Sequence, residues 1–395
     1  MKGLNVPSRI LMGPGPSDVH PRVLQAMATP MIGHMDPEFM KIMDDVMRLL
    51  RYVFETENEL TVAMSGTGSS GMETVFVNLL DPGDKVIVGV NGLFGQRMVD
   101  VIERCGAEAI QIEAAWGDII EPEQVETALK NNPEAKFVAL VHAETSTGAL
   151  QPLEEIAEIV HTHDALLIVD AVTSLGGTPV RVDKVGIDAC YSGTQKCLSA
   201  PPGLSPVTFS NRALEVMDNK KAKVQSWYLD LSMIRDYWGS ERAYHHTAPI
   251  SMNYALYEAL RLIEEEGLEN TFARHKKLGK ALQNGLEAMG LELHVKEEYR
   301  LPQLTSVRVP DGVNEANVRK QLLDNFSIEI GAGLGELKGK VWRIGLMGHS
   351  CNPNNVITVL TALEQILVKE GAKMNEGVAV KVAMDYMFEQ NVLVE

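Results

Sequence analysis

Between residues 60 and 210, short apolar runs rich in β-branched residues alternate with stretches of helical periodicity. A strand that returns parallel to its neighbour needs a long crossover, usually a helix, so this alternation points to an α/β domain built on a mainly parallel sheet. The strand runs are LTVAM at 60–64, KVIVGV at 85–90, AIQIE at 109–113, FVALVH at 137–142, ALLIVD at 165–170, DACYS at 188–192 and PVTFS at 206–210. Between the first two, Met72, Val75, Phe76 and Leu79 fall at i, i+3, i+4 and i+7, one face of a helix that Asp81-Pro82-Gly83 ends. Between the fourth and fifth, Ile156, Ile159, Val160 and His163 share a helical face in the same way. A helical stretch around 250–285 then precedes isolated strands, LTSVRVP and KVWRIGL, set between helices, as in a smaller α+β domain. The expected organisation is an N-terminal arm (1–15), a large domain with a seven-stranded sheet (16–270) and a small C-terminal domain (271–395) ending in an extra helix and an apolar tail.

A chain of 395 residues is long enough for two such domains to bury their own cores. Its 36 basic and 53 acidic residues leave a net charge of −17, which opposes non-specific attachment to nucleic acid or anionic membranes. Any anionic ligand must therefore be caught by a local site. Cys105, Cys190, Cys197 and Cys351 form no CxxC pair and are too sparse for a disulfide framework, so a reducing compartment and no metal cluster are expected. Pro7, Ser8 and Arg9 break the first residues before any secretory apolar region, and no run approaches the ~18 apolar residues a membrane helix needs. The C-terminal VLVE matches no peroxisomal or ER address. A soluble cytoplasmic protein is the expectation.

In an open parallel sheet, ligands gather at the carboxyl ends of the strands, so polar residues just past those ends carry most information. Three loops stand out. Ser65-Gly66-Thr67-Gly68-Ser69-Ser70-Gly71 opens the Met72 helix with small residues, which let backbone N–H groups and hydroxyls close on an anion such as a phosphate. The same loop spells the dinucleotide pattern GxGxxG. The next strand, however, runs into Asn91-Gly92 where a ribose-binding carboxylate would be needed, and no Gly-Lys-Ser/Thr of a P-loop follows. A turn that merely caps the helix is the plain alternative.

Asp170 ends the apolar run ALLIVD. A carboxylate closing a buried strand is costly unless it meets a cation or several donors; taken alone it reads as a cap or turn former. In the third loop DACYS runs into Gly193-Thr194-Gln195-Lys196, where small neighbours leave the amine reachable and Pro201-Pro202 stop a helix from carrying it away. Alone, Lys196 reads as a solvated surface lysine. On one sheet the three loops supply what pyridoxal phosphate (PLP) requires: a phosphate hold, a partner for the pyridine nitrogen and an amine to carry the cofactor.

Further stretches are GHMDPEF at 33–39, NGLFGQR at 91–97, HAETSTGALQP at 142–152, DAVTSLGGTPV at 170–180, YSGTQK at 191–196, YHHTAP at 244–249 and KVWRIGLMG at 340–348. In their order and spacing, from Gly13-Pro14-Gly15-Pro16 to about residue 365, the chain resembles the class-V, fold-type I aminotransferases of the alanine–glyoxylate and serine–pyruvate group. The resemblance implies that Lys196 forms the Schiff base with PLP and that Asp170 keeps the ring nitrogen protonated. It places Thr67, Gly68, Ser69 and Gln195 about the phosphate, Phe94 on the cofactor face, and Thr145 at the 3′-oxygen. Tyr244 and Thr247 match residues that reach the phosphate from a neighbouring subunit, which implies a homodimer with shared sites. Ser69 stands where some relatives have His, and Phe94 where they have Trp.

Gly15 and Arg343 match substrate-binding positions. In VWRIGL, Val341, Arg343 and Gly345 share one strand face, so a guanidinium could meet a bidentate carboxylate over a small neighbour; an ordinary salt bridge is the alternative. The implied activity is ping-pong transfer of an amino group from alanine or serine to glyoxylate or pyruvate. No second cation for a side-chain carboxylate is evident in the sequence. A lyase or cysteine desulfurase of the same fold, using Cys197 or Cys351, is one alternative, and a non-catalytic PLP-binding interaction protein is another.

Overall fold

The computed structural model describes residues 3–392. All but the first residue of VLVE, and with it the end of the expected tail, lies outside the described residues. Among them no helix is long and apolar enough to cross a membrane.

The seven expected runs are strands: β1 (Leu60–Ser65), β2 (Lys85–Val90), β3 (Glu108–Glu113), β4 (Phe137–Val141), β5 (Leu166–Asp170), β6 (Ala189–Tyr191) and β7 (Leu204–Phe209). They form one sheet in the order β1-β7-β6-β5-β4-β2-β3. Neighbours are parallel except at β7, which runs antiparallel to both β1 and β6. Strand ends move by a residue or two for local reasons. Ser210 leaves β7 because its side chain accepts the Ala213 N–H and caps the next helix.

Because β7 alone is reversed, the loops after β1, β5 and β6 leave the sheet at the same edge. That edge collects Gly66–Gly71, Asp170 and Gly193–Lys196. Between β1 and β2, α1 (Gly68–Leu79) buries Met72, Val75, Phe76 and Leu79 against the sheet, the face its periodicity predicts. After β2 comes α2 (Leu93–Arg104), whose Met98, Val99 and Ile102 join the same core.

Two long helices, α3 (Ile250–Glu266) and α4 (Leu268–Ala288), meet at Gly267, where φ is +84°. Helix α4 starts in the first core with Leu268 and Phe272 and continues from Leu278 in a second. The second core covers a small antiparallel sheet of β8 (Leu304–Arg308), β9 (Gly331–Ala332) and β10 (Val341–Gly345), ordered β8-β10-β9. Helices α5 (Pro353–Lys369) and α6 (Ala379–Glu389) cover it, the latter being the extra C-terminal helix. At its centre Trp342 is fully buried, with its indole N–H donating to the Glu315 carbonyl at 3.1 Å.

The N-terminal arm is bound to this second core. Ile10 and Leu11 pair in parallel with Ile328 and Glu329, Met12 is buried, and the Met12 carbonyl accepts the Gly345 N–H at 2.7 Å. A Cβ on Gly345 would lie 2.0 Å from the Gly13 carbonyl oxygen, so only glycine lets the arm lie flush on β10. Gly345→Ala is therefore expected to cost about 1–3 kcal/mol through overpacking, read as a lower denaturant midpoint. An unchanged midpoint would mean that the arm can lift from β10 without cost.

Candidate active site

The loop after β6 makes successive tight turns and no helix. Ser192 Oγ donates to the Ala171 carbonyl (3.0 Å), Thr194 Oγ1 to Pro201 (2.7 Å), and Ser17 Oγ to the Lys196 carbonyl (2.7 Å). So pinned, Lys196 is no surface lysine: it is 7% exposed, and its Nζ donates to the Pro14 carbonyl. Gly15, at φ +103°, lies against the side chain so closely that a Cβ there would stand 2.8–3.0 Å from its end. Burial, and next the charge of Arg343, lower the Lys196 amine to about 8, against upward pulls from Cys197, Asp170 and Glu144. An amine in that range is partly neutral, hence nucleophilic, near pH 8.

Asp170 ends β5 on the strand adjacent to β6 and is 2% exposed. Its two oxygens accept the Val172 N–H (2.8 Å) and the Tyr191 hydroxyl (2.9 Å). Burial pushes this carboxyl up to about 6; the two donors and Lys196 oppose that shift, and the charge of Glu144 adds to it. A cation placed beside it would restore the ionised form.

The first loop reaches the third at two glycines. A Cβ on Gly68 would lie 3.6 Å from Gly193 Cα, and one on Gly193 would lie 2.9 Å from Gln195 Oε1. Gly68 opens α1 with Thr67 at its N-cap, and the Thr67 side chain makes no capping bond, so its hydroxyl and the first helical N–H groups are not spent on one another. Ser69 is exposed on the next position. Gln195 Oε1 is buried and without a hydrogen-bond partner. The positions of amide oxygen and nitrogen are interchangeable in such a side chain, so it offers two N–H donors to an anion.

Arg343 comes from the small sheet. It is 5% exposed; Nε donates to the Ala332 carbonyl (2.7 Å) and Nη1 to the Thr145 carbonyl (2.8 Å). No carboxylate lies within ion-pair distance of it among the described residues, and Nη2 makes no protein hydrogen bond, so the ordinary salt bridge is not formed. Burial lowers it to about 10, opposed by Glu144. The Thr145 hydroxyl pairs with that of Thr173. Phe94, second residue of α2, is half-buried, with the Arg97 guanidinium 4.8 Å from its ring centre.

The site thus gathers Lys196, Asp170, Gly68, Gln195, Thr145, Arg343 and Gly15. Tyr244 and Thr247 are not drawn into it within one chain: both are exposed, and neither side chain makes a hydrogen bond among the described residues. Three contributors escaped the sequence reading. The Pro14 carbonyl and the Tyr191 hydroxyl act through tertiary contact alone, although Tyr191 sits at the end of a strand whose following loop was singled out. Glu144, fully buried in HAETSTG, carried the only local signal, a carboxylate just past the end of β4.

These residues suit PLP. Gln195, half-buried near a helix N-terminus, has one buried amide atom without a partner, Asp170 is a buried acceptor short of a cation, and Lys196 is a buried amine. Cys197 and Cys351 suit a desulfurase poorly, because both are buried and burial pushes each thiol up to about 12.

Comparison with known proteins gives a consistent picture. A family model described as aminotransferase class-V matches residues 11–339. The chain is 41% identical to a (S)-ureidoglycine–glyoxylate transaminase of Bacillus subtilis, over 97% of this chain and 96% of that protein. It is 43% identical to an alanine–glyoxylate aminotransferase of Mus musculus, over 93% and 89%. A crystal structure of an alanine–glyoxylate aminotransferase from Nostoc sp. superposes with a TM-score of 0.92 at 52% identity, covering 93% of this chain and 97% of that one.

If Lys196 is the buried nucleophile, the rate at which the cofactor-free protein captures PLP should rise with pH to a half-maximum near about 8, where the amine loses its proton. Lys196→Ala should abolish the visible absorbance of the captured cofactor without loss of fold. A rate that climbs only above pH 10, or full absorbance in the variant, would remove Lys196 from this role.

Proposed function

This chain belongs to the class-V aminotransferases, PLP enzymes that transfer amino groups, and from that premise we propose that it moves the amino group of alanine or serine to glyoxylate or pyruvate. The observation that carries the choice of substrate is Arg343: a buried guanidinium, free of any carboxylate, one strand face from the arm that covers Lys196. Among the described residues, Lys196 and Arg343 are the only lysine and arginine in the buried class. A substrate α-carboxylate on Arg343 therefore uses the one buried cation left, and its side chain meets no second one, which favours small neutral donors. Two of the relatives are named for glyoxylate as partner substrate.

When bound, PLP supplies an electron sink for the pair left by the substrate Cα–H bond. The chain does the rest. Nη2 of Arg343 orients the substrate through its carboxylate while Nε and Nη1 stay fixed to Ala332 and Thr145. Lys196 Nζ, lowered by burial, takes the proton from Cα and later returns one. Asp170, held by Val172 and Tyr191, would pair with the ring nitrogen and keep it protonated. Pro14 and Gly15 cover the amine and exclude water. Donor and acceptor use one site in turn, which makes the exchange ping-pong.

The same proposal includes Thr67, Gly68, Ser69 and Gln195 about the phosphate, Phe94 on the ring, Thr145 at the 3′-oxygen, and Gly15 and Arg343 at the substrate. It includes the arm (1–15), large domain (16–270) and small domain (271–395), supported by the two cores. It further includes a cytoplasmic homodimer in which Tyr244 and Thr247 serve the partner's site, supported by their exposure. A panel of amino acids offered without acceptor, scored by the 2-oxo acid released in a single turnover, tests the activity and the donor together. No oxo acid from any small neutral donor would overturn the reading.

Arg343→Lys should weaken the apparent affinity for alanine or serine by about tenfold or more and leave PLP affinity within about twofold, since an ammonium lacks the rigid plane that holds the Ala332 and Thr145 carbonyls while Nη2 faces the substrate. Unchanged substrate affinity would return Arg343 to a structural part. For the shared site, chains carrying Lys196→Ala mixed with chains disabled at Thr247 should recover about one quarter of wild-type activity on subunit exchange. Half the dimers are then hybrid, and each hybrid holds one intact site. No gain, with exchange verified, would mean that Thr247 serves its own chain.

A further inference from the structure

Glu144 is a fully buried carboxylate to which the mechanism gives no task. Its surroundings give it one. Helix α2 begins after Gly92, which has no side chain to cap it, so its first N–H groups would be left as buried orphan donors. A distant segment supplies the acceptors. Glu144 accepts the Phe94 N–H at 3.2 Å, and also the Ser146 N–H (2.9 Å) and hydroxyl (2.5 Å). Ser146 Oγ in turn accepts the Leu93 N–H at 3.0 Å. The fit is close, since a Cβ on Gly92 would lie 2.3 Å from both Cγ and Cδ of Glu144, so residue 92 has to be glycine for the carboxylate to enter.

Burial pushes the Glu144 carboxyl up, and the Ser146 and Phe94 donors oppose that shift, so the bond that caps the helix also favours the ionised form. The capped turn carries Phe94. The capping segment carries Thr145, whose carbonyl holds Arg343 Nη1. One carboxylate thus ties the helix that presents the aromatic ring to the segment that anchors the substrate arginine. We propose that Glu144 is a positioning residue which, by capping α2 from across the site, holds Phe94 in register with Thr145 and Arg343. This inference rests on the ring-stacking role proposed for Phe94. The charge of Glu144 also acts on the neighbouring groups, drawing Asp170, Lys196 and Arg343 each toward a higher pKa.

The test is a double-mutant cycle between Glu144→Ala and Phe94→Ala, with two readouts: the PLP dissociation constant of the cofactor-free protein, and the visible circular dichroism of the bound cofactor. Phe94→Ala is expected to weaken PLP binding by about tenfold and to reduce the dichroic band. Glu144→Ala is expected to do nearly the same, and adding it to Phe94→Ala should cost less than about twofold more, because the ring it positions is already gone. Should Glu144→Ala fail to fold, Ser146→Ala removes only the relay to Leu93, and Glu144→Gln keeps shape without charge. Both should shift the two readouts in the same direction by smaller amounts, with the fold retained at the temperature of the measurement. Losses that multiply fully in the double variant would overturn the role of Glu144 while leaving Phe94 as a stacking residue. No effect of Phe94→Ala on either readout would overturn the stacking reading, and the inference with it.

Discussion

Four ionisable side chains, Lys196, Arg343, Asp170 and Glu144, are buried together at one edge of the central sheet, and the rest of the architecture follows from keeping them there. An isolated buried charge costs several kcal/mol, so each must be paired, hydrogen-bonded or partly neutralised. Backbone carbonyls take up most of the cationic donors: Pro14 for Lys196, Ala332 and Thr145 for Arg343. Backbone N–H groups and hydroxyls serve the carboxylates: Val172 and Tyr191 for Asp170, Phe94 and Ser146 for Glu144. What remains unspent is one guanidinium nitrogen, one amine and one acceptor short of a cation. Those three are the groups to which the proposed mechanism assigns its tasks.

The reversed strand β7 is what lets a single edge hold so many of them. It lies between β1 and β6, and register pairs Leu204 with Ser65, bringing the phosphate-type loop to the start of β7 and level with the lysine loop. The glycine contact between residues 68 and 193 closes the gap. A parallel strand there would have needed a long crossover in place of the loop that carries Lys196.

The seven strands and α1 were legible because their signals are local: β-branched runs, helical spacing, and Asp-Pro-Gly at a helix end. Asp170 and Lys196 were legible for a related reason, since a strand end fixes where a side chain can appear. Strand order and the reversal of β7 were not, because an apolar run reads the same in either direction. Nor was the burial of Lys196, whose cover comes from Pro14 and Gly15, with Pro14 182 residues away, or the cap that Glu144 provides to a helix 50 residues upstream. In each case the deciding contact joins segments with no local trace of one another. Family resemblance supplied the expected roles of Arg343, for which spacing left an ordinary salt bridge open, and of Thr247, which carries no local signal.

The arm has a consequence for the order of events during synthesis. Its residues are made before the sheet edge they cover, but Ile328, Glu329 and Gly345, to which it is bound, are made long after it. Lys196 emerges between them, and the arm that covers it is not fixed to β10 until Gly345 has been made. At about 5–20 residues per second, that interval is on the order of ten seconds. Through it the amine to which the proposed mechanism gives the proton transfer lacks that anchored cover. Arm and small sheet then come together as one late, long-range event, so the pocket closes only once β10 has been made.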